Sequence, residues 1–552
     1  MKTTLYDQLL HIQQQHPTKV CLRDAKNDWT FSDLLDKTNR HAEALTQEGL
    51  GLGDRLLYIA GRGVNTLPLL LAASKLGVLF ATIDARADQT KNQAIIDQFE
   101  ADILLIAPEH ASKAMYQLSY YRELGCTVNS NADNSNADTS NTEQRHAFGA
   151  PGWLRNDRAT GVCDTAVATQ PRSRKPVASD IGLVFFTSGS TGRSKGVALS
   201  HSNVLFAAQS IIEYLEIDAD DVIYNALPLN FDYGFYQILF PLFTGCQTFL
   251  THSFMIPQKN LMEVQKINAT HFPIVPSMAR LIKQFGAAKA LESVTTITNT
   301  GEAIHRGEVE YMQNIFPHCR FFSMYGLTEC KRTTWLHPDE YAKKPDSVGI
   351  AIPGTRIEIL DENNQPVPAG TEGQIVVSGP HVMTEYLDNP EATRKALFFD
   401  ENDRQKKLAT GDFGRMDSEG YLYLSGRKDE VFKIDGLKYS CKEHEQWLKS
   451  QPEVRDACIL VNPDTLEITA FIVEEIGERM TEGMIRERRL KTCALSSHLP
   501  KHVERLTDIP INDNGKHNKQ RLKQGLQQGD LAQWQLPDSL THVQPRQLAE
   551  TL

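Results

Sequence analysis

Residues 185–196 read FFTSGSTGRSKG, and five hydroxyls, three glycines and one lysine are crowded into them. Thr187, Ser188, Gly189, Ser190, Thr191, Gly192 and Lys195 follow an apolar run that begins at Ile181. A strand that ends in a glycine-rich loop exposes successive backbone N–H groups, and hydroxyls and a lysine add further donors. That combination cradles phosphate. The stretch is not the GxxxxGK[ST] loop, because Lys195 is followed by Gly196 rather than by Ser or Thr. A Ser/Gly-rich linker is the alternative. A linker seldom separates a run such as IGLVFF from VALSHSNVLFAA, which reads as strand and then helix.

The elements around this loop alternate. DRLLYIA, VLFATID and ADILLIA are strand-like; NTLPLLLAASKLG and TKNQAIIDQFE are helical. Such alternation is the α/β signature. A second α/β stretch runs from about 181 to 330, and 345–425 is rich in strands broken by DENNQ and PAGTEG turns. Beyond about 430 the chain mixes short strands and helices, with ACILVNPDTLEITAFIVEE reading as two strands and a turn. Residues 126–176, with NSNAD twice in tandem, read as a disordered or irregular insertion.

The 552 residues exceed what one core organises, so at least two domains are expected. A net charge of −11 argues against nucleic acid or an anionic membrane as partner. Nine scattered cysteines without metal or redox spacing read as reduced thiols of a cytoplasmic protein. The N-terminus reads as a short amphipathic helix rather than a signal peptide, and TLPLLLAASKLGVLF is too short to span a bilayer.

FFTSGSTGRSKGVALSH resembles the signature loop of the adenylate-forming (AMP-binding) enzymes. That superfamily includes acyl- and aryl-CoA synthetases, adenylation domains of nonribosomal peptide synthetases, and firefly luciferase. Further motifs follow in the family's order over about residues 20–525: NTGEA (299–303), MYGLTE (324–329), LATGDFGRMDSEGYLYLSGRKDEVFKIDGLKYS (408–440) and INDNGKHNKQRL (511–522). The resemblance implies an α/β fold: a large N-terminal body of mixed sheets and helices with a small β-rich subdomain, and a smaller mobile α+β C-terminal domain. The expected boundaries are 1–428 and 429–525, with a tail at 526–552.

The resemblance also implies roles. Gly301, Glu302 and Ala303 match the adenine-binding turn, and Tyr325 and Gly326 open the YGxTE motif. There Tyr325 can stack on adenine and Thr328 can bond a phosphate oxygen. Glu329 offers the carboxylate that Mg²⁺ prefers. Asp412, after Gly411, can accept both ribose hydroxyls. Arg427 matches the second ribose/phosphate contact, although a surface arginine in a turn is its bland alternative. Asp429 matches the hinge about which the C-terminal domain swings. Lys516, presented by the Asn514-Gly515 turn, matches the lysine that steadies charge as carboxylate attacks phosphorus. Lys433 is expected to serve the second half-reaction.

The implied activity has two steps: a carboxylate and ATP·Mg²⁺ give an acyl adenylate and pyrophosphate, and a thiol then releases AMP. The thiol belongs to CoA or to the phosphopantetheine of a carrier protein, expected to be a separate one. Phe231-Asp232, at the position of the acid-pocket helix, favours an amino group on the substrate. The remaining pocket candidates are Tyr236, Thr300, Met324 and Arg332. Lys331-Arg332 departs from the small or apolar residues usual in peptide-synthetase domains. Arg332 either cancels Asp232, which would suit a plain acyl, fatty or aryl acid, or holds a second acidic group. A luciferase-like oxygenase shares the adenylation step. A non-catalytic paralogue should have lost Lys516, Glu329 or Asp412, and all three are present.

Overall fold

The computed structural model describes residues 3–60, 63–87, 89–107, 121–123, 152–156, 174–188, 194–285, 291–302, 304, 306–344, 346–399, 405–435, 437–475, 478–490, 498–511 and 517–531. It divides into two compact units, one of residues 1–357 and 377–408, the other of 358–376 and 409–552. The fold is the expected mixed α/β body with a smaller α+β C-terminal part.

The first unit holds two sheets. One has nine strands, ordered Ile350–Ala351, Thr334–Leu336, Arg320–Tyr325, Thr296–Asn299, His271–Ile274, Val222–Asn225, Gln247–Leu250, Val20–Arg23 and Asp28–Thr30. From Arg320–Tyr325 through Val20–Arg23 the neighbours run parallel. Its central strands HFPI and TITN are buried at every position, as a sheet covered on both faces requires.

The other sheet has eight strands, in the order Glu385–Tyr386, Ser194–Ser200, Ile181–Ser188, Leu79–Asp84, Arg55–Ala60, Ile103–Ile106, Gly152–Asn156 and Tyr121–Glu123. The strand Gly152–Asn156 pairs antiparallel with Ile103–Ile106, although it lies in the stretch expected to be irregular. A five-residue run with Trp153 and Leu154 found a sheet edge that its polar surroundings did not advertise. The rest of 126–176, apart from residues 174–176, lies outside the described residues.

Helix starts follow local chemistry. Thr4/Asp7, Thr30/Asp33 and Ser200/Asn203 each form reciprocal capping boxes before the helices Leu5–Gln15, Phe31–Gln47 and His201–Leu215. The helix Thr66–Leu76, TLPLLLAASKL, is buried from Thr66 to Ser74. No helix among the described residues is long and apolar enough to cross a membrane.

In the second unit, Val454–Val461, Ile468–Glu474 and His502–Arg505 form a three-stranded sheet. Strand alternation divides its side chains. Ala457, Ile459, Ala470 and Ile472 join a core with Tyr439 and Leu448. Cys458, Phe471 and Val473 join another with Leu506, Ile509 and Leu522.

Candidate active site

Ligands of open α/β sheets gather beyond the carboxyl ends of the strands. In the nine-stranded sheet those ends lie side by side: Ile274 pairs with Asn299 and Asn299 with Ser323. Thr300, Gly301, Met324 and Tyr325 therefore cluster at one edge. Gly301 has φ 96°, a conformation that glycine adopts without strain, and Asn299 donates to the Glu302 carbonyl at 3.1 Å. Tyr325 is buried at the end of its strand. Met324 accepts a hydrogen bond from Tyr214 Oη at 2.9 Å.

The YGLTECKR turn is built on Gly326. A Cβ there would lie 1.7 Å from the Lys331 carbonyl oxygen, so no other residue fits. The turn closes through Cys330 N to Leu327 O at 3.1 Å and Thr333 N to Tyr325 O at 2.8 Å. Lys331 adopts φ 56°, the left-handed region that costs a residue with a side chain.

This turn sets Glu329 against residues 383–386. Tyr386 Oη donates to Glu329 Oε1 at 2.7 Å, and Met383 N donates to the Glu329 carbonyl at 2.7 Å. Thr328 is half-buried beside them. Lys195 Nζ lies 5.0 Å from the Tyr386 ring centroid, so one tyrosine links the lysine after the glycine-rich loop to Glu329. Tyr386 pairs with Val197 across the sheet, which fixes that approach. Tyr386 was not among the sequence candidates. It stands 57 residues from Glu329, and no local pattern announces the contact.

The glycine-rich loop joins two antiparallel strands in register, with Thr187 opposite Lys195 and Ser188 opposite Ser194. The helix His201–Leu215 begins only after the second strand. Gly189, Ser190, Thr191, Gly192, Ala303 and Lys516 lie outside the described residues, as do the side chains of Ser188, Asp429 and Lys433. Ile511 and His517, either side of the Lys516 segment, pair as a bridge, and Asn518 N donates to Pro510 O at 2.7 Å.

The acid-pocket candidates come from two elements distant in sequence. Helix Asp232–Leu239 puts Asp232 in its first turn, where the helix dipole favours a carboxylate. Gly234 lets this helix close on Pro228, whose carbonyl oxygen would lie 2.3 Å from an added Cβ. Tyr233 Oη bonds the Thr298 carbonyl at 2.7 Å. Phe231 is half-buried at the N-cap, and its ring meets the Tyr233 ring edge-on at 6.1 Å.

From the other side, the YGLTECKR turn brings in Lys331 and Arg332. Both are buried, as is Asp232, at 1%, 3% and 5% exposure respectively. Arg332 Nη1 is 3.9 Å from Asp232 Oδ2, too long for a hydrogen bond. The Arg332 guanidinium lies 4.5 Å from the Tyr233 ring centroid, and Lys331 Nζ lies 4.3 Å from that of Phe185. Lys331 Nζ, Arg332 Nε and Tyr236 Oη have no hydrogen-bond partner among the described residues. Burial pushes the Lys331 ammonium down to about 8 against the pull of Asp232 and Glu329.

In the second unit, Asp412 is buried and faces Arg427 across two antiparallel strands. The glycine turn expected before Asp412 is a left-handed residue, Gly411 at φ 78°, within the unbroken strand Lys406–Met416. Asp429 falls in a short 3-10 turn, Lys428–Glu430.

A family model described as AMP-binding enzyme matches residues 9–387 of this sequence. The chain belongs to the AMP-binding enzyme family. It is an AMP-forming acid–thiol ligase of that superfamily. This AMP-binding enzyme is 25% identical over 555 residues to a plipastatin synthase polypeptide of Bacillus subtilis, spanning 98% of the chain but 19% of that protein. It is also 25% identical over 527 residues to indoleacetate–CoA ligase of Aromatoleum aromaticum, spanning 92% of the chain and 95% of the ligase. The fold is shared with ATP-bound MatB from Rhodopseudomonas palustris: TM-score 0.77, 23% identity, 96% of this chain and 100% of that one.

Proposed function

We propose that this enzyme uses ATP to adenylate a carboxylic acid that carries an amino group, and passes the acyl group to a phosphopantetheine thiol of a carrier protein or to CoA. Buried Asp232, at the start of its helix and not hydrogen-bonded to Arg332, carries the reading. A substrate ammonium supplies the partner that a buried carboxylate requires. ATP-bound MatB and the CoA-ligase relative support the nucleotide and thiol assignments.

In the first step a substrate carboxylate oxygen attacks the α-phosphorus. The new P–O bond forms as the bond to the bridging oxygen breaks, and pyrophosphate leaves. Lys516 neutralises charge on the carboxylate and α-phosphate. The 187–195 loop holds phosphate oxygens, and Thr328 adds one donor. Tyr325 and the 301–303 turn hold adenine; Asp412 and Arg427 hold ribose. In the second step the C-terminal domain, residues 429–525, turns about Asp429. The thiol then attacks the acyl carbon, AMP leaves, and the thiol proton passes to solvent. Catalysis is positioning and charge neutralisation, without a covalent enzyme intermediate.

Glu329 suits Mg²⁺, which takes one or two carboxylates with phosphate oxygens and water rather than an all-protein cage. No group of three or more His, Cys, Asp or Glu side chains stands ready for a metal among the described residues. Held by Glu329, Mg²⁺ would offset phosphate charge.

Pyrophosphate exchange with matched amino, des-amino and fatty acids tests the reading. Lys516→Ala should lower exchange ~10²–10³-fold, the usual effect of losing one preorganised charge contact. Thioester formation from preformed adenylate should survive. Asp232→Ala should cost amino-acid activation about two powers of ten or more, since stranding a buried charge costs about 3–5 kcal/mol. Equal activity of this variant and wild type on the best amino acid would refute the ammonium anchor.

A further inference from the structure

We infer that the acid activated here carries a second carboxylate, received by the buried side chains of Lys331 and Arg332. The inference rests on the adenylation reading above, but not on the substrate's amino group. Two cations and one carboxylate occupy this buried cluster, all nine-tenths or more shielded from water. Isolated buried ions are costly unless paired and hydrogen-bonded. Here Asp232 cannot satisfy both cations, because even its approach to Arg332 stops at 3.9 Å. Lys331 Nζ and Arg332 Nε remain without acceptors among the described residues.

The aromatic rings do not fill that need. Phe185 and Tyr233 offer their faces to the two cations, which eases the charge but accepts none of the N–H donors in ordinary hydrogen bonds. Tyr236, whose ring is 5.8 Å from Lys331 Nζ, adds a third unpartnered donor in its hydroxyl. The missing element is therefore an acceptor, and an anionic one. The substrate's reacting carboxylate is committed to the α-phosphate. A monoacid with an ammonium would raise the excess positive charge; a second carboxylate lowers it. The backbone invests in the arrangement as well: Lys331 is held at positive φ by a turn that admits only glycine at 326.

The test pairs each diacid with its monoamide. Pyrophosphate exchange is measured for aspartate against asparagine, glutamate against glutamine, succinate against succinamate, and longer aliphatic and aromatic diacids against their monoamides; butyrate and 2-aminobutyrate serve as monoacids. The free acid of the best pair should exceed its amide in kcat/KM by about a hundredfold or more, since a site built for a polar group rejects analogues that leave its buried donors unpaired. Lys331→Met should shrink that ratio at least about tenfold. A ratio near one in wild type, or a monoacid as best substrate, overturns the inference while leaving adenylation intact. Thermal shift without ATP provides a second readout that needs no turnover and no folded variant: diacids should raise Tm and monoamides should not. A diacid-specific Tm shift without exchange of any acid would refute the adenylation reading and keep the second carboxylate. No diacid-specific shift and no diacid exchange would refute the inference.

Discussion

Two charge clusters in this molecule, one half-buried and one buried, are built in opposite ways. In the C-terminal unit, Lys519 Nζ reaches Glu430 Oε1 at 2.9 Å and Glu445 Oε1 at 2.8 Å. Nearby, Asp456 receives Lys449 at 2.7 Å and His517 at 2.9 Å. Burial works against the Lys519 ammonium, but Glu445 and Glu430 hold its pKa well above the ordinary value. In the N-terminal unit, Lys331 is buried more deeply, yet its ammonium has no acceptor among the described residues, and its pKa falls to about 8 chiefly through burial. Charges that serve the fold meet partners at hydrogen-bond distance. Charges kept short of partners are costly to the fold, and a ligand is what makes them worth retaining.

The sharpest way to break this contrast is Lys519→Met, which leaves the half-buried Glu430 and Glu445 without their shared cation. It should cost about 3 kcal/mol, the low end for a buried pair because the cluster is half-buried, read as a lowered denaturation midpoint of the C-terminal unit. A change below about 1 kcal/mol would place the paired cluster among the inert ones.

Protonation tests the neutral buried groups of both units. Burial holds His201 at about 4 and His444 at about 4, below the ordinary 6.5. The unfolded chain therefore takes up these protons first, so stability is lost as pH falls from about 6.5 toward 4. At ~1.4 kcal/mol per unit, each contributes up to about 3 kcal/mol. His201→Gln should flatten that slope in urea midpoints measured across this range.

Lys331→Met should have the opposite sign to Lys519→Met. Removing an unpartnered buried charge stabilises by about 1–2 kcal/mol, seen as a higher Tm, while activity on the preferred acid falls. A lower Tm would show that Lys331 serves the fold.

The smallest effect belongs to Tyr386→Phe. It removes one hydrogen bond to Glu329 and should cost about 1 kcal/mol of carboxylate orientation. The expected readout is a several-fold rise in the Mg²⁺ concentration needed for half-maximal pyrophosphate exchange, with little change in Tm. An unaltered Mg²⁺ dependence would reduce Tyr386 to packing.

Much of the fold was legible because local physics dictated it. Apolar runs such as IGLVFF and ADILLIA became strands, Thr30/Asp33 and Ser200/Asn203 started helices, and ordered motifs pointed to the family. The strand Gly152–Asn156 escaped notice because its partner, Ile103–Ile106, is what stabilises it. Tyr386 escaped because a hydrogen bond across 57 residues leaves no periodic trace.

The sequence by itself determined which residue types were available: a carboxylate at 232, two cations at 331 and 332, a glycine at 326 that alone permits the turn. It left open whether Arg332 would cancel Asp232 or serve a substrate. Only the tertiary structure decided that both cations are buried, that 3.9 Å separates Arg332 from Asp232, and that Lys331 faces an aromatic ring instead of an acceptor. The physical reason is that the burial and pairing of a charge depend on neighbours from other elements. Those neighbours are set by how parallel strands align their ends and how one helix packs across them, and a one-dimensional pattern does not encode that alignment.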